Sequence, residues 1–189
     1  MQEPIIRQET PADAEAIDVV HRAAFGGEAE SRLAAALRRS EAYVPELSLV
    51  AEVEGRVTGF LMLFKAALER EGGETLPLLA LAPLAVVPSQ SHRGVGSALV
   101  RAALARAERL GHPAVVVVGH PDYFARFGFE PASRWGIQCP LPVPPSAVSA
   151  KELRRGALEG GGLLRYPEPF VRFFQEAPRE GQAVHAFDA

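Results

Sequence analysis

The stretch LALAPLAVVPSQSHRGVGSALVRAALARAERLG, Leu79 to Gly111, decides how the rest of the chain is read. It opens as an apolar run without helical period, as a buried strand does. Pro88 ends that strand, because proline has no N–H to give to a sheet ladder. A polar turn from Ser89 to Arg93 leads into Gly94-Val95-Gly96 and then into an Ala/Leu/Arg pattern with helical spacing, which stops at Gly111. The order is strand, basic loop with glycines, helix. The first turn of a helix carries unpaired N–H groups and the positive end of the helix dipole. Glycine lets a bound group come close to the main chain. Such a loop is an anion seat, and phosphate is its usual occupant.

Upstream, Pro4 to Gln8 predicts a short strand. Thr10-Pro11-Ala12-Asp13 predicts a helix start, with Thr10 as N-cap and Pro11 in the first turn. Ile17, Val20, His21 and Ala24 share one face, and Gly26-Gly27 breaks the helix. Glu28 to Arg39 predicts a second helix with Leu33 and Leu37 inward. Leu47 to Glu54 and Val57 to Phe64 form a hairpin across Glu54-Gly55-Arg56. Leu76 to Val87 is then a third antiparallel strand. Downstream, His112 to Gly119 is β-branched and unbroken, which predicts a buried strand joined to the previous one by a right-handed parallel crossover. His120 to Arg126 predicts a short helix ending before Gly128. Glu152 to Arg154 and Gly162 to Tyr166 read as short edge strands.

The chain has 189 residues, 48% hydrophobic and 23% charged, with a formal net charge of -3. That composition is globular, and the charge gives no support to nucleic-acid binding. Cys139 is the one cysteine, which suits a reducing compartment, so a cytoplasmic location is expected. The segment MQEPIIRQET lacks a basic region followed by an apolar one, so no secretory leader is expected. Pro77 and Pro83 interrupt the longest apolar run, so no membrane association is expected. No Cys/His spacing predicts a metal site. No composition shift divides the chain. A single domain over 1–167 is expected, with 168–189 as a C-terminal tail docked through Phe170, Phe173 and Phe174. The aromatic tail also offers a surface to a homodimer.

Several stretches together resemble the GNAT N-acetyltransferase family. The most specific is Leu84-Ala85-Val86-Val87-Pro88 followed by Arg93-Gly94-Val95-Gly96-Ser97-Ala98-Leu99. Pro45-Glu46-Leu47-Ser48-Leu49, Gly119-His120-Pro121-Asp122-Tyr123, Arg126-Phe127-Gly128-Phe129-Glu130-Pro131-Ala132 and Glu152-Leu153 are similar to its YhbS-like branch. The resemblance implies an α/β (α+β) fold with a central, mixed, mostly antiparallel twisted sheet flanked by helices. It implies acetyl-CoA as co-substrate and an amine acceptor, either a small molecule or a protein amine. The pantetheine arm would pair with the main chain of Leu84, Ala85 and Val86. The pyrophosphate would sit on the loop Ser91, His92, Arg93, Gly94, Val95, Gly96 and Ser97. Arg93 reads either as a phosphate contact or as a solvated loop charge. Ser91 and His92 depart from the family pattern, which has a longer polar residue at the first position and often a glycine at the second.

Acetyl transfer to an amine needs a proton removed from the amine and one supplied to the leaving thiolate. The family's acid is commonly a tyrosine four residues before the glycine of the Gly-Phe pair. Here Phe124 stands there and is grouped with the cofactor-binding residues, while Tyr123 precedes it. Tyr123 is the candidate acid, and a core tyrosine is the alternative. Glu46 and His120 are candidate bases; His120 reads equally well as a helix-start residue, and Glu52 as a solvent-facing carboxylate. Two functions stay open: an N-acetyltransferase, and an acyl-CoA-binding sensor or interaction module with little activity, which Phe124 favours.

Overall fold

Alternating side chains in three long strands build a sheet that is buried on both faces. The computed structural model describes residues 2–176 and the main chain of 185–186. Its strands are β1 (Ile5–Gln8), β2 (Tyr43–Val53), β3 (Arg56–Glu69), β4 (Thr75–Val86), β5 (Ala114–Val118), β6 (Glu130–Pro131), β7 (Ile137–Gln138), β8 (Val148–Glu152), β9 (Gly162–Arg165) and β10 (His185–Ala186). Its helices are α1 (Ala14–Phe25), α2 (Ala29–Arg38), α3 (Val95–Arg109), α4 (Pro121–Ala125) and α5 (Glu168–Glu176). The sheet runs β1-β2-β3-β4-β5-β8-β6. β1 to β4 are antiparallel neighbours, β5 lies parallel to β4, and β8 is antiparallel to β5. This is the mixed, mostly antiparallel sheet that the resemblance implies.

Phe60, Met62 and Phe64 of β3 face one core with Ile17, Leu33 and Leu37 of α1 and α2. Leu61 and Leu63 face a second core with Val95, Leu99 and Ala103 of α3 and with Phe124 and Phe127. Period two along one strand therefore feeds two cores. Thr10 and Asp13 start the first helical segment, with the Thr10 N–H donating to Asp13 Oδ2 at 2.7 Å. A short 3-10 turn, Pro11–Asp13, precedes α1.

Besides a register shift at Ala51–Glu52, two bulges shape the sheet. In β2, four residues, Val44 to Leu47, lie opposite the single residue Leu63, because Tyr43 pairs with Phe64 and Ser48 with Met62. In β4, Ala82 and Pro83 lie opposite Met62. β5 pairs with β4 only over Leu79–Leu81, before that second bulge, so the two strands part beyond it. β10 lies parallel to β4, with His185 opposite Leu84 and Ala186 opposite Ala85.

Both expected edge strands need correction. Of the edge strand expected over Glu152–Arg154, Leu153 and Arg154 lie past the end of β8, and β8 itself is held by β5 along its length and by β6 at Ser149–Ala150. β9 extends the sheet beside β3, at Ala67–Glu69, past the end of the β2 pairing, but β7 pairs with its other side at Gly162–Leu163, so β9 is not an edge strand either. Of the tail expected over 168–189, residues 177–184 and 187–189 lie outside the described residues. α5 places Phe170 against Phe64 at 5.0 Å between ring centroids, and Phe170 and Phe173 are buried in the chain's own core. These two rings are therefore not a free surface for a second copy. No helix among the described residues is long and apolar enough to cross a membrane.

Candidate functional site

The loop between β4 and α3 has an unusual main chain. Pro88–Gln90 forms a 3-10 turn, and Gly94 caps α3 with φ at 81°. His92 has φ at 60°, a left-handed conformation that costs a residue with a β-carbon about 1–2 kcal/mol. A glycine would take that shape freely, which is the physical sense of the family's preference at this position. A Cβ added at Gly94 would meet nothing within 4 Å, so the space over the first turn of α3 is open.

That space is a pocket. Val86, Ser91, His92, Gly94, Val95, Gly96 and Ser97 line it from the loop side, and Tyr123 and Arg126 close it from α4. Arg93 turns elsewhere and lines a separate hollow with Pro4 and Glu54. Leu84 and Ala85 are fully buried, so only their main chains are candidates for pairing with a ligand. Phe124 is also fully buried, packed on Phe129 at 5.5 Å, and does not line the pocket.

Tyr123 sits at the junction of loop and α4. Its ring meets Phe124 and Phe127 edge-on at 5.1 and 5.3 Å. The Arg126 guanidinium lies 5.3 Å from its centroid and donates to Ser97 Oγ at 3.3 Å. Burial raises the Tyr123 pKa above its ordinary value, although a hydrogen bond with Ser97 and the charges of Arg126 and Arg101 pull the other way. Tyr123 therefore stays protonated at neutral pH, the state an acid needs. Arg126 was not picked out as a site residue in the sequence. The signal is its spacing: three residues after Tyr123, it shares a face of a short helix.

Glu46 and His120 are exposed and do not line this pocket. Glu46 stands within the β2 bulge, and His120 caps the start of α4. Glu52 is tied to Arg7 at 3.0 Å. Cys139 is half-buried, its thiol pushed up by burial, 3.9 Å from the Tyr166 hydroxyl. Neither has the setting of a base or nucleophile.

The neck of the β2 bulge is held by a second polar cluster that the sequence did not disclose. Glu9 accepts from Arg38 at 2.9 and 2.8 Å, from Tyr43 at 2.9 Å and from Ser48 at 2.7 Å.

The family described as acetyltransferase (GNAT) domain matches residues 5–132. The chain is 36% identical to the uncharacterized N-acetyltransferase YhbS of Escherichia coli K12 over 171 residues, which is 89% of this chain and 99% of that one. It is 38% identical over 134 residues to the uncharacterized N-acetyltransferase YjhQ of the same strain, covering 70% and 74% of the two chains. Among solved structures, YhbS from Escherichia coli in complex with CoA superposes with a TM-score of 0.83 at 35% identity, covering 92% of this chain and 94% of that one. A GNAT family acetyltransferase from Brucella melitensis in complex with acetyl-CoA gives a TM-score of 0.71 at 27% identity, over 90% and 99% of the chains.

Proposed function

The chain belongs to the GNAT acetyltransferase family and is an acyltransferase; from that premise we propose that it carries an acetyl group from acetyl-CoA to a primary amine by direct attack. The observation that carries the reading is the left-handed main chain at His92 and Gly94, which opens the first turn of α3 toward the pocket. Main-chain N–H groups there suit a pyrophosphate, and Arg126 adds a positive charge on the far wall. The edge of β4 beyond Leu81, which β5 leaves, suits an extended pantetheine arm at Leu84, Ala85 and Val86. The bound relatives support the same ligand, since one carries CoA and another acetyl-CoA.

In the transfer, the amine nitrogen forms a bond to the thioester carbonyl carbon as the carbon–sulfur bond breaks. The nitrogen gives up a proton, and the sulfur gains one. Tyr123, protonated and beside Ser97, is the group we assign to the sulfur. Glu46 on its bulge and His120 at the head of α4 are the groups assigned to the amine. Phe124 favours a second reading, an acyl-CoA-binding module with little turnover, because the family's usual tyrosine position is a buried ring.

One experiment separates the readings. Acetyl-CoA binding is measured by calorimetry on the purified chain, and CoA thiol release is followed with a panel of primary amines. Binding with release supports the transferase, and binding without release supports the module. No binding would sink both. Arg126→Ala is expected to weaken acetyl-CoA binding about tenfold, the loss of one charge-assisted hydrogen bond.

A further inference from the structure

The edge of β4 that β5 leaves has an occupant. β3 takes the opposite edge, pairing Leu61 with Leu84 and Phe60 with Ala85. β10 therefore lies on the β5 side of β4, and it runs parallel to β4 as β5 does. His185 stands opposite Leu84 and Ala186 opposite Ala85. These are the positions whose main chain the proposed function gives to the pantetheine arm. One row of N–H and C=O groups cannot serve two extended ligands together.

We infer that the edge of β4 at Leu84–Ala85 accepts a peptide strand, and that the chain's own C-terminal strand competes there with acyl-CoA. The inference rests on the cofactor reading above. An unpaired strand edge is a template for any extended chain, and addition of a peptide strand is a common mode of recognition. The competitor is tethered, so it acts at a high effective concentration without being tight. A ladder only two residues long adds few hydrogen bonds, so it yields to a ligand that also holds the phosphate seat at Ser91–Ser97. Apparent cofactor affinity is then the intrinsic affinity scaled by the fraction of chains with the edge open. By reciprocity, bound cofactor drives the C-terminal strand off the sheet.

The test uses the full chain and its double variant His185→Pro/Ala186→Pro, which removes both N–H donors of the strand. Calorimetry with acetyl-CoA should show about tenfold tighter binding by the variant. Adenosine 3′,5′-bisphosphate, which has phosphates and no pantetheine, should bind both chains alike. Equal acetyl-CoA affinities overturn the competition and leave the cofactor reading standing. A gain shared by the bisphosphate also overturns it, because the effect would not lie at the pantetheine edge. No acetyl-CoA binding by either chain overturns the cofactor reading and the competition with it. In the unaltered chain, saturating CoA should speed carboxypeptidase trimming of the C-terminus several-fold, and an unchanged rate overturns the inference.

Discussion

Tyr43 and Ser48 donate to the same carboxylate oxygen, Oε1 of Glu9, at 2.9 and 2.7 Å. They are the residues on either side of the β2 bulge, so one acceptor pins both ends of it. Arg38 holds Glu9 from α2 with two further bonds. Glu9→Ala should cost about 3 kcal/mol, because it strands Arg38 and two hydroxyls in a mostly buried setting. Urea denaturation reads this as a lower midpoint with an unchanged slope. A loss under about 0.5 kcal/mol would reduce the cluster to an ordinary surface ion pair.

Acid should weaken the fold in two stages. His21 is fully buried, and burial lowers its pKa from 6.5 to about 4. Arg38 lowers it further, while Asp18 and Glu9 oppose the shift. The unfolded chain takes this proton first, so stability falls as pH drops from about 6.5 toward 4, by up to about 3 kcal/mol. Burial pushes the Glu9 carboxyl up, but its bonds from Arg38 and Ser48 prevail and its pKa ends below 4.5. Its contribution is intact above that value and is lost as pH falls through the lowered one. His21→Leu should flatten the stability curve between pH 7 and 5. The same slope in parent and variant would remove His21 from the account.

Gly59 is where β3 lets α3 come close. A Cβ built there would lie 3.0 Å from Leu99 Cδ1, 3.0 Å from Val95 Cγ1 and 3.3 Å from Ala51 Cβ. Gly59→Ala should therefore cost about 1–3 kcal/mol by overpacking. Val95 opens α3 and lines the pocket, so acetyl-CoA binding should weaken as well. Unchanged melting temperature and affinity would show that the helix moves aside freely.

Tyr123→Phe removes one hydroxyl next to Ser97. If Tyr123 serves the leaving sulfur, thiol release with the best amine should fall about a hundredfold at saturating substrates. Acetyl-CoA affinity should change less than threefold, about 0.7 kcal/mol. A fall in affinity with an unchanged turnover would make Tyr123 a pocket wall and not an acid.

The parts of this fold that were legible in the sequence are those with local causes. Pro88, Gly94 and the spacing of α3 mark the loop without any knowledge of its neighbours. The inner position of β8 was not legible, because the five residues Val148–Glu152 look alike at an edge or inside, and their partners on β5 lie far along the chain. Neither bulge could be read, since register depends on the opposing strand. The rotation of α4 was open as well: both rings are buried in the α3 core, but the structure sets Tyr123 at its rim against Ser97 and the pocket and Phe124 wholly inside. The Glu9 cluster joins residues from β1, α2 and β2, and no short motif carries it.

The sheet acts as a partition. The loop to which we assign the phosphates grows out of the core that α3 and α4 cover; the Glu9–Arg38 clamp on the ends of the β2 bulge comes from the side that α1 and α2 cover, while Val44 and Leu47 of the bulge pack into the α3 core. Changes on one side need not be transmitted to the other, because each side packs on its own set of side chains. Pro45, Glu46 and Gly26–Glu28 are exposed, so they can vary without repacking the core behind residues 91–97 as long as Val44 and Leu47 keep their places in it. Acceptor preference should follow these exposed positions. Test amines are therefore better chosen from relatives that match this chain at the bulge and the α1–α2 turn than from those that match it at the loop.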